Sequence, residues 1–359
     1  MKISRVFLII IIVFVIILVA VFAYAALVTT SSSSKWETGA NYPLEISDTL
    51  GVSGQQCVNS GSNLVCVGGM DVSGGPQNGV YVSSSVSTSA NNITGWAAES
   101  YPYPQPVFAQ SCTTSSGFVY CVGGTYDDGG DDLASSYYAS ISNTGIIGKW
   151  NSTTAYPVPI DSQSCVASSG YIYCLGGETE SNGLNASRAL NSFVYFAPIS
   201  STGIGAWNLT TPYPTGTYLP SCYSEDNYIY CLGGVDGSGN FLSATYYAAL
   251  SSTGVGSWTA TTSYPDDGIG QSCAFSSGYV YCVGGEISSG FSNLVYYAPV
   301  SSGGIGQWVQ GATYFEGTWT DCVIVSGNMY CVGGLDGSSN GESGATHFIV
   351  LTSLVTSTT

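Results

Sequence analysis

Positive charge is what this sequence has least of: five Lys and Arg among 359 residues, against 22 Asp and Glu, for a formal net charge of −17. The five are Lys2, Arg5, Lys35, Lys149 and Arg188. Nucleic acid and anionic membrane surfaces are thereby excluded as partners, because neutralising phosphates takes a basic surface. Histidine is nearly missing too, with His347 alone. A Ser-His-Asp triad would hang on that one residue, which sits in an apparent strand between Thr346 and Phe348 and reads as a packing or surface side chain. Charged residues make up only 8% of the chain, so it is not a charge-rich disordered polymer. In acid the carboxylates would protonate and the self-repulsion of the net charge would fade, which suits an acidic surrounding.

Long apolar stretches are also absent, with one exception. Residues 6–28 form an unbroken apolar run of 23 residues behind Lys2 and Arg5. That length spans a bilayer with some tilt, and the flanking bases keep residues 1–5 inside. Ala23-Tyr24-Ala25 offers a cleavage site, but the run exceeds a signal-peptide core, so an uncleaved anchor is expected. Residues 29–35 then form a polar stalk and everything beyond lies outside the cell membrane, in a single-pass arrangement.

What the chain has in quantity is glycine, tyrosine and cysteine, 47, 27 and 12 residues respectively. The cysteines fall in pairs nine apart: Cys57/Cys66, Cys112/Cys121, Cys165/Cys174, Cys222/Cys231, Cys273/Cys282 and Cys322/Cys331. Each second cysteine opens Cys-(Val/Leu)-Gly-Gly. Ahead of each pair stands Trp, then usually Tyr-Pro, as in Trp150 with Tyr156-Pro157 and Trp258 with Tyr264-Pro265. After Gly-Gly comes a variable loop and a run such as Tyr246-Tyr247-Ala248. None of the pairs has the short knuckle spacing of a zinc site, so disulfides are expected.

Hairpin geometry supports this. Pairing Cys273 with Cys282 puts Ser277-Gly278 at a two-residue turn, and Ser-Gly, Gly-Ser or Asp-Asn falls there in every repeat. Counting back from the turn, the cysteines land on a non-hydrogen-bonded pair, where opposing side chains approach most closely. Each repeat reads as four strands: the first with the leading cysteine, the second ending in Gly-Gly, the third with paired tyrosines, the fourth starting near Trp. The sixth repeat stops after its third strand, whereas Trp36 and Tyr42-Pro43 precede the first. A closed ring in which the N-terminal strand completes the last blade is therefore expected, and closure removes exposed sheet edges.

The Gly-Gly strand, the downstream tyrosine, the Trp and its following Pro resemble kelch-repeat propellers over about residues 36–352. The Arg usual after the Pro is absent and a cysteine pair has been added. The resemblance implies an all-β, six-bladed β-propeller of four-stranded antiparallel blades, followed by a tail at 353–359. It says little about activity.

Variation concentrates in the loops between second and third strands, which share one face with the loops entering each first strand. Any ligand site is expected there, near the central channel. Trp36, Trp96, Trp150, Trp207, Trp258 and Trp308 recur once per repeat and read as core. Trp319 breaks that pattern and is the leading candidate for an exposed aromatic contact, with Glu316 near it and Tyr126, Tyr218, Asp266 and Asp267 as further ligand-binding candidates. Asp127, Asp128, Asp131 and Asp132 are a candidate Ca²⁺ cluster without EF-hand spacing, more simply a solvated loop. Asp236 and Asp336, after Gly-Gly, read as turn residues. No cofactor is expected. Paired loop carboxylates would suit glycoside hydrolysis, yet none occupies a distinctive motif. A sialidase would need an arginine cluster, and a galactose-oxidase-like copper site more than one histidine. No catalytic residue is assigned and an enzyme is not expected. Sequons at Asn92, Asn151, Asn185 and Asn208 suggest glycosylation. The sequence favours a cell-surface recognition or adhesion module for a glycan or protein ligand, with a structural envelope component as the alternative and a glycan-active hydrolase behind both.

Overall fold

The computed structural model describes residues 35–43, 52–71, 73–86, 92–126, 132–179, 189–315, 319–336 and 341–351. The apolar run at 6–28 and the tail at 353–359 lie outside them. Every named element is a β-strand, and among the described residues no helix is long and apolar enough to cross a membrane.

Six antiparallel sheets follow one another along the chain, each built on a cysteine hairpin. The fourth is representative. Ser221–Glu225 pairs with Tyr228–Leu232, which pairs with Thr245–Ser251, whose outer edge carries Thr259–Ala260. The hairpin turns explain the register. In the fifth blade Ser277 and Gly278 both take left-handed backbone, φ 52° and 83°, the twist a tight hairpin needs. Counting outward, Ser276 faces Tyr279, Phe275 faces Val280, Ala274 faces Tyr281 and Cys273 faces Cys282.

All six cysteine pairs are bridged: Cys57–Cys66, Cys112–Cys121, Cys165–Cys174, Cys222–Cys231, Cys273–Cys282 and Cys322–Cys331, with Cα–Cα separations from 3.9 to 4.2 Å. Six such bridges point to an oxidising compartment. The two halves of each bridge sit differently. Cys66, Cys121, Cys174, Cys231, Cys282 and Cys331, on the second strands, are all 0% exposed. They are internal braces and not part of any surface a ligand could touch. The leading cysteines, on the innermost strands, keep an edge toward the centre of the ring.

The second strands carry the core. Tyr228–Leu232 and its counterparts are almost wholly buried on both faces, because each sheet is sandwiched between its neighbours. Six apolar clusters result, each shared by two successive blades. The once-per-repeat tryptophans belong to this packing. Each meets the tyrosine at the preceding Tyr-Pro position edge to face, with ring centroids 4.8–5.1 Å apart. Each indole N–H donates to a backbone carbonyl nearby, as Trp150 does to Tyr101 at 3.2 Å.

The sixth sheet takes its fourth strand from the other end of the chain. Glu37–Thr38 lies along Thr346–Val350, with Glu37 opposite Phe348 and Thr38 opposite His347. Trp36 packs on Tyr314, as each of the other repeat tryptophans packs on its own tyrosine. His347 is buried between Tyr314 and Phe315, with its Nδ1 3.3 Å from the Thr38 hydroxyl, so it is a packing residue. The first strands of consecutive blades touch around the whole circle, the sixth against the first included. The architecture is a six-bladed β-propeller with four-stranded blades.

Candidate functional site

Three residues ahead of each leading cysteine govern the centre of the ring. Two before it stands Gln55, Gln110, Gln163 and Gln271 in four blades, each at most 5% exposed. Their Nε2 atoms donate to the carbonyls of Val332, Val67, Val122 and Leu232 at 2.6, 2.8, 2.7 and 3.4 Å, tying each blade to the one before it. The first glycine of Gly-Gly makes room for this. A Cβ on Gly233 would lie 2.0 Å from Gln271 Nε2, and its φ of +68° is a conformation side chains rarely adopt. The repeat's glycines are therefore docking points for the glutamines.

One residue before each cysteine, a side-chain oxygen accepts the backbone N–H of the next blade's cysteine. Cys112 donates to Gln56 Oε1 at 3.3 Å, and Cys165, Cys222, Cys273 and Cys322 donate to the hydroxyls of Ser111, Ser164, Ser221 and Ser272 at 2.9, 3.2, 3.2 and 2.8 Å. Cys57 donates to the Asp321 carboxylate and completes the circle. The belt thus runs through all six blades with one ionisable member.

Three residues before each cysteine the backbone is left-handed: Gly54, Ala109, Ser162, Leu219, Gly270 and Trp319 have φ between 54° and 63°. For the four that are not glycine this conformation costs roughly 1–2 kcal/mol each. Those six residues ring the mouth of a central cavity of about 280 Å³, opening on the loop face and walled by the six first strands. Trp319 is flanked around the ring by the two glycines, Gly270 and Gly54. It is half-buried, and its indole N–H has no protein partner. The sequence places an aromatic contact here; the structure seats it inside the channel mouth and not on the open surface.

Among the described residues that line the cavity, Asp321 is the only ionisable side chain, the cysteines all being bridged. Its flank opens on the channel, but the ring encloses it. That burial pushes its carboxyl up to about 7, against the lowering effect of hydrogen bonds from Cys57 N–H, the Ser272 hydroxyl and Cys322 N–H.

The remaining candidates scatter over the loop face. Tyr218 pairs with Val235 and lines a separate open hollow with Glu178, Leu190 and Asp236. Tyr126 is exposed. Asp266 lies 3.4 Å from the Tyr296 hydroxyl, and burial raises its carboxyl; Asp267 accepts from Ser288 at 3.3 Å. Asp132 pairs with Thr125, while Asp127, Asp128, Asp131 and Glu316 lie outside the described residues. Among the described residues no three His, Cys, Asp or Glu side chains gather as a metal site. Asp236 is a turn residue: its carboxylate is held below the usual range by the Asn240 side chain, then by the Asn240 and Ser238 N–H groups. Asn151 and Asn208 are exposed on outermost strands, Asn92 is half-buried, and Asn185 falls outside the described residues.

The belt residues escaped the sequence reading, although Gln-Ser-Cys recurs at Gln110, Gln163 and Gln271. That recurrence was the available signal. Against it, Trp319-Thr320-Asp321 stands out as the departure.

No protein-family model matches this chain, and no curated protein matches it in sequence. Among solved structures, the one titled "Structure of YjhT" is similar, with a TM-score of 0.65 and 12% identity over 86% of this chain and 95% of that one. At that identity the likeness carries the propeller fold alone.

Proposed function

We infer that this chain is an extracytoplasmic recognition module, kelch-like in its repeats and held at the cell membrane by residues 6–28. Its ligand, a glycan or a protein segment, enters the mouth of the central channel from the loop face. In this reading the N-terminal strand seals the ring, so the anchor and the last blade are joined at one place. The observation that supports it is Trp319: a large aromatic in a strained left-handed conformation, at the mouth of the cavity, where the equivalent residues of four other blades are Gly, Ala or Ser. Strain of this kind, held by a rigid surround, clusters at ligand sites. Among the described residues the wall offers hydroxyls, amides and the Asp321 carboxylate, groups suited to holding a ligand.

The test is binding of the purified, oxidised chain to intact cells and to extracted envelope glycans between pH 2 and 7. Saturable binding that is lost on reduction and on Trp319→Gly, a substitution suited to the left-handed backbone, is the expected result. Binding indifferent to Trp319 moves the site elsewhere. No saturable binding, together with ordered arrays in the envelope, assigns the chain a structural role.

A further inference from the structure

The belt sets six side-chain oxygens around the channel, of which five are neutral and one belongs to Asp321. Among the described residues no Lys, Arg or His lines the cavity. The three groups that hydrogen-bond the Asp321 carboxylate, Cys57 N–H, Cys322 N–H and the Ser272 hydroxyl 3.4 Å away, are all uncharged. Neutral donors satisfy lone pairs but leave the charge itself without a counter-ion, and an enclosed carboxylate in that condition takes up a proton or a cation. Its raised pKa is the proton half of that statement. Two residues earlier in the chain, Trp319 lines the same cavity, and Leu219 and Phe108 add apolar wall.

A single negative charge, a ring of neutral oxygens and an aromatic side chain above them suit an ammonium group. Its N–H donors find oxygens, and its charge is met by the carboxylate and the indole face. A cavity of about 280 Å³ admits a small molecule, or a single end group of a glycan or protein segment. Resting on the reading that ligands enter this channel, we propose that its mouth binds a small molecule bearing a primary ammonium, seated on Asp321 and Ser272, with its apolar body against Trp319 and Leu219.

Two probes of equal shape test it on the full-length oxidised chain by titration calorimetry at pH 8: benzylammonium and the neutral benzyl alcohol. Benzylammonium should bind saturably and at least tenfold more tightly, weakening about tenfold per pH unit below 7 as Asp321 takes its proton. Asp321→Ser installs the residue found at this place in four other blades, so the belt bond from Cys57 is kept and the fold with it. It should cut benzylammonium affinity at least tenfold and leave benzyl alcohol unchanged. Equal affinity for the two probes, indifference to Asp321→Ser, or no binding of either probe overturns the proposal. If neither probe binds while envelope binding still depends on Trp319, the ammonium class fails and the channel-mouth reading stands.

Discussion

Blades two to five and the junction of blade six with blade one are built from the same parts, yet they differ in what those parts are asked to do. In the regular blades the belt oxygen is always a serine hydroxyl. Outer-strand threonines repeat the same joint: Thr153, Thr210 and Thr261 each accept a backbone N–H from the following blade at 2.7–2.9 Å. At the junction the acceptor becomes Asp321, the rim residue becomes Trp319, and the outer strand comes from the opposite end of the chain. Repetition marks the scaffold, and the place where repetition breaks is where a ligand site is to be sought.

The comparison can be broken first at the outer strand. Trp36 is 2% exposed, and Trp36→Ala should cost about 3–5 kcal/mol, the range for a buried tryptophan. The half-exposed Trp207 and Trp258, replaced likewise, should cost less than half as much. Chemical denaturation of the three variants decides; equal losses would mean that the terminal strand adds nothing special. Next in size come the bridges. Each closes a loop of the same length, so removing Cys165–Cys174 or Cys322–Cys331 should cost about 2–3 kcal/mol in either place. A clear difference in melting temperature between the two would show that the junction is strained or slack.

Asp321 gives a pH signature. Its folded pKa, about 7, lies above the unfolded value, so the folded state binds the proton more tightly. Its contribution to stability is full below about pH 4 and is lost as pH rises through 7. Asp71 acts oppositely: burial pulls its carboxyl up, but the Ser73 hydroxyl and the Gly75 and Ser73 N–H groups outweigh that and lower it, so its contribution is lost in acid. Taken together these two groups make stability greatest at about pH 4 and falling as pH rises toward 7. Asp321→Ser should gain about 2 kcal/mol at pH 8 relative to pH 4, a figure discounted because one side of the group opens on the channel. Melting curves at the two pH values test this; a flat difference would mean that Asp321 is ionised at no penalty. Smallest is Gln163→Leu, which removes one inter-blade bond and should cost about 1 kcal/mol, while Gln271, with its longer bond, should matter less.

Much of the scaffold was legible from residues. Hairpin period and turn chemistry set the cysteine register, since Ser-Gly at the tip leaves one pairing that puts both cysteines on the same face. The recurrent tryptophans were readable as core because a side chain repeated in every blade must serve what every blade shares. The centre was not legible in this way. That Gln110 and Gln163 reach back into the preceding blade, or that Trp319 turns into the channel, depends on how neighbouring sheets are rotated about the ring. Local propensity carries no record of that rotation. Trp319 could be singled out as an irregularity, but its burial and left-handed backbone could not. The enclosure of Asp321 comes with closure of the ring, which also brings Cys57 N–H, distant in sequence, onto its carboxylate.

The most direct measurement regularises the junction. Changing Trp319, Thr320 and Asp321 to Ser, Gln and Ser copies the third blade's Ser162-Gln163-Ser164 into the sixth. The account predicts a protein that melts no lower than the wild type and has lost saturable binding to the cell envelope. A regularised chain that folds and still binds with unchanged affinity would contradict it.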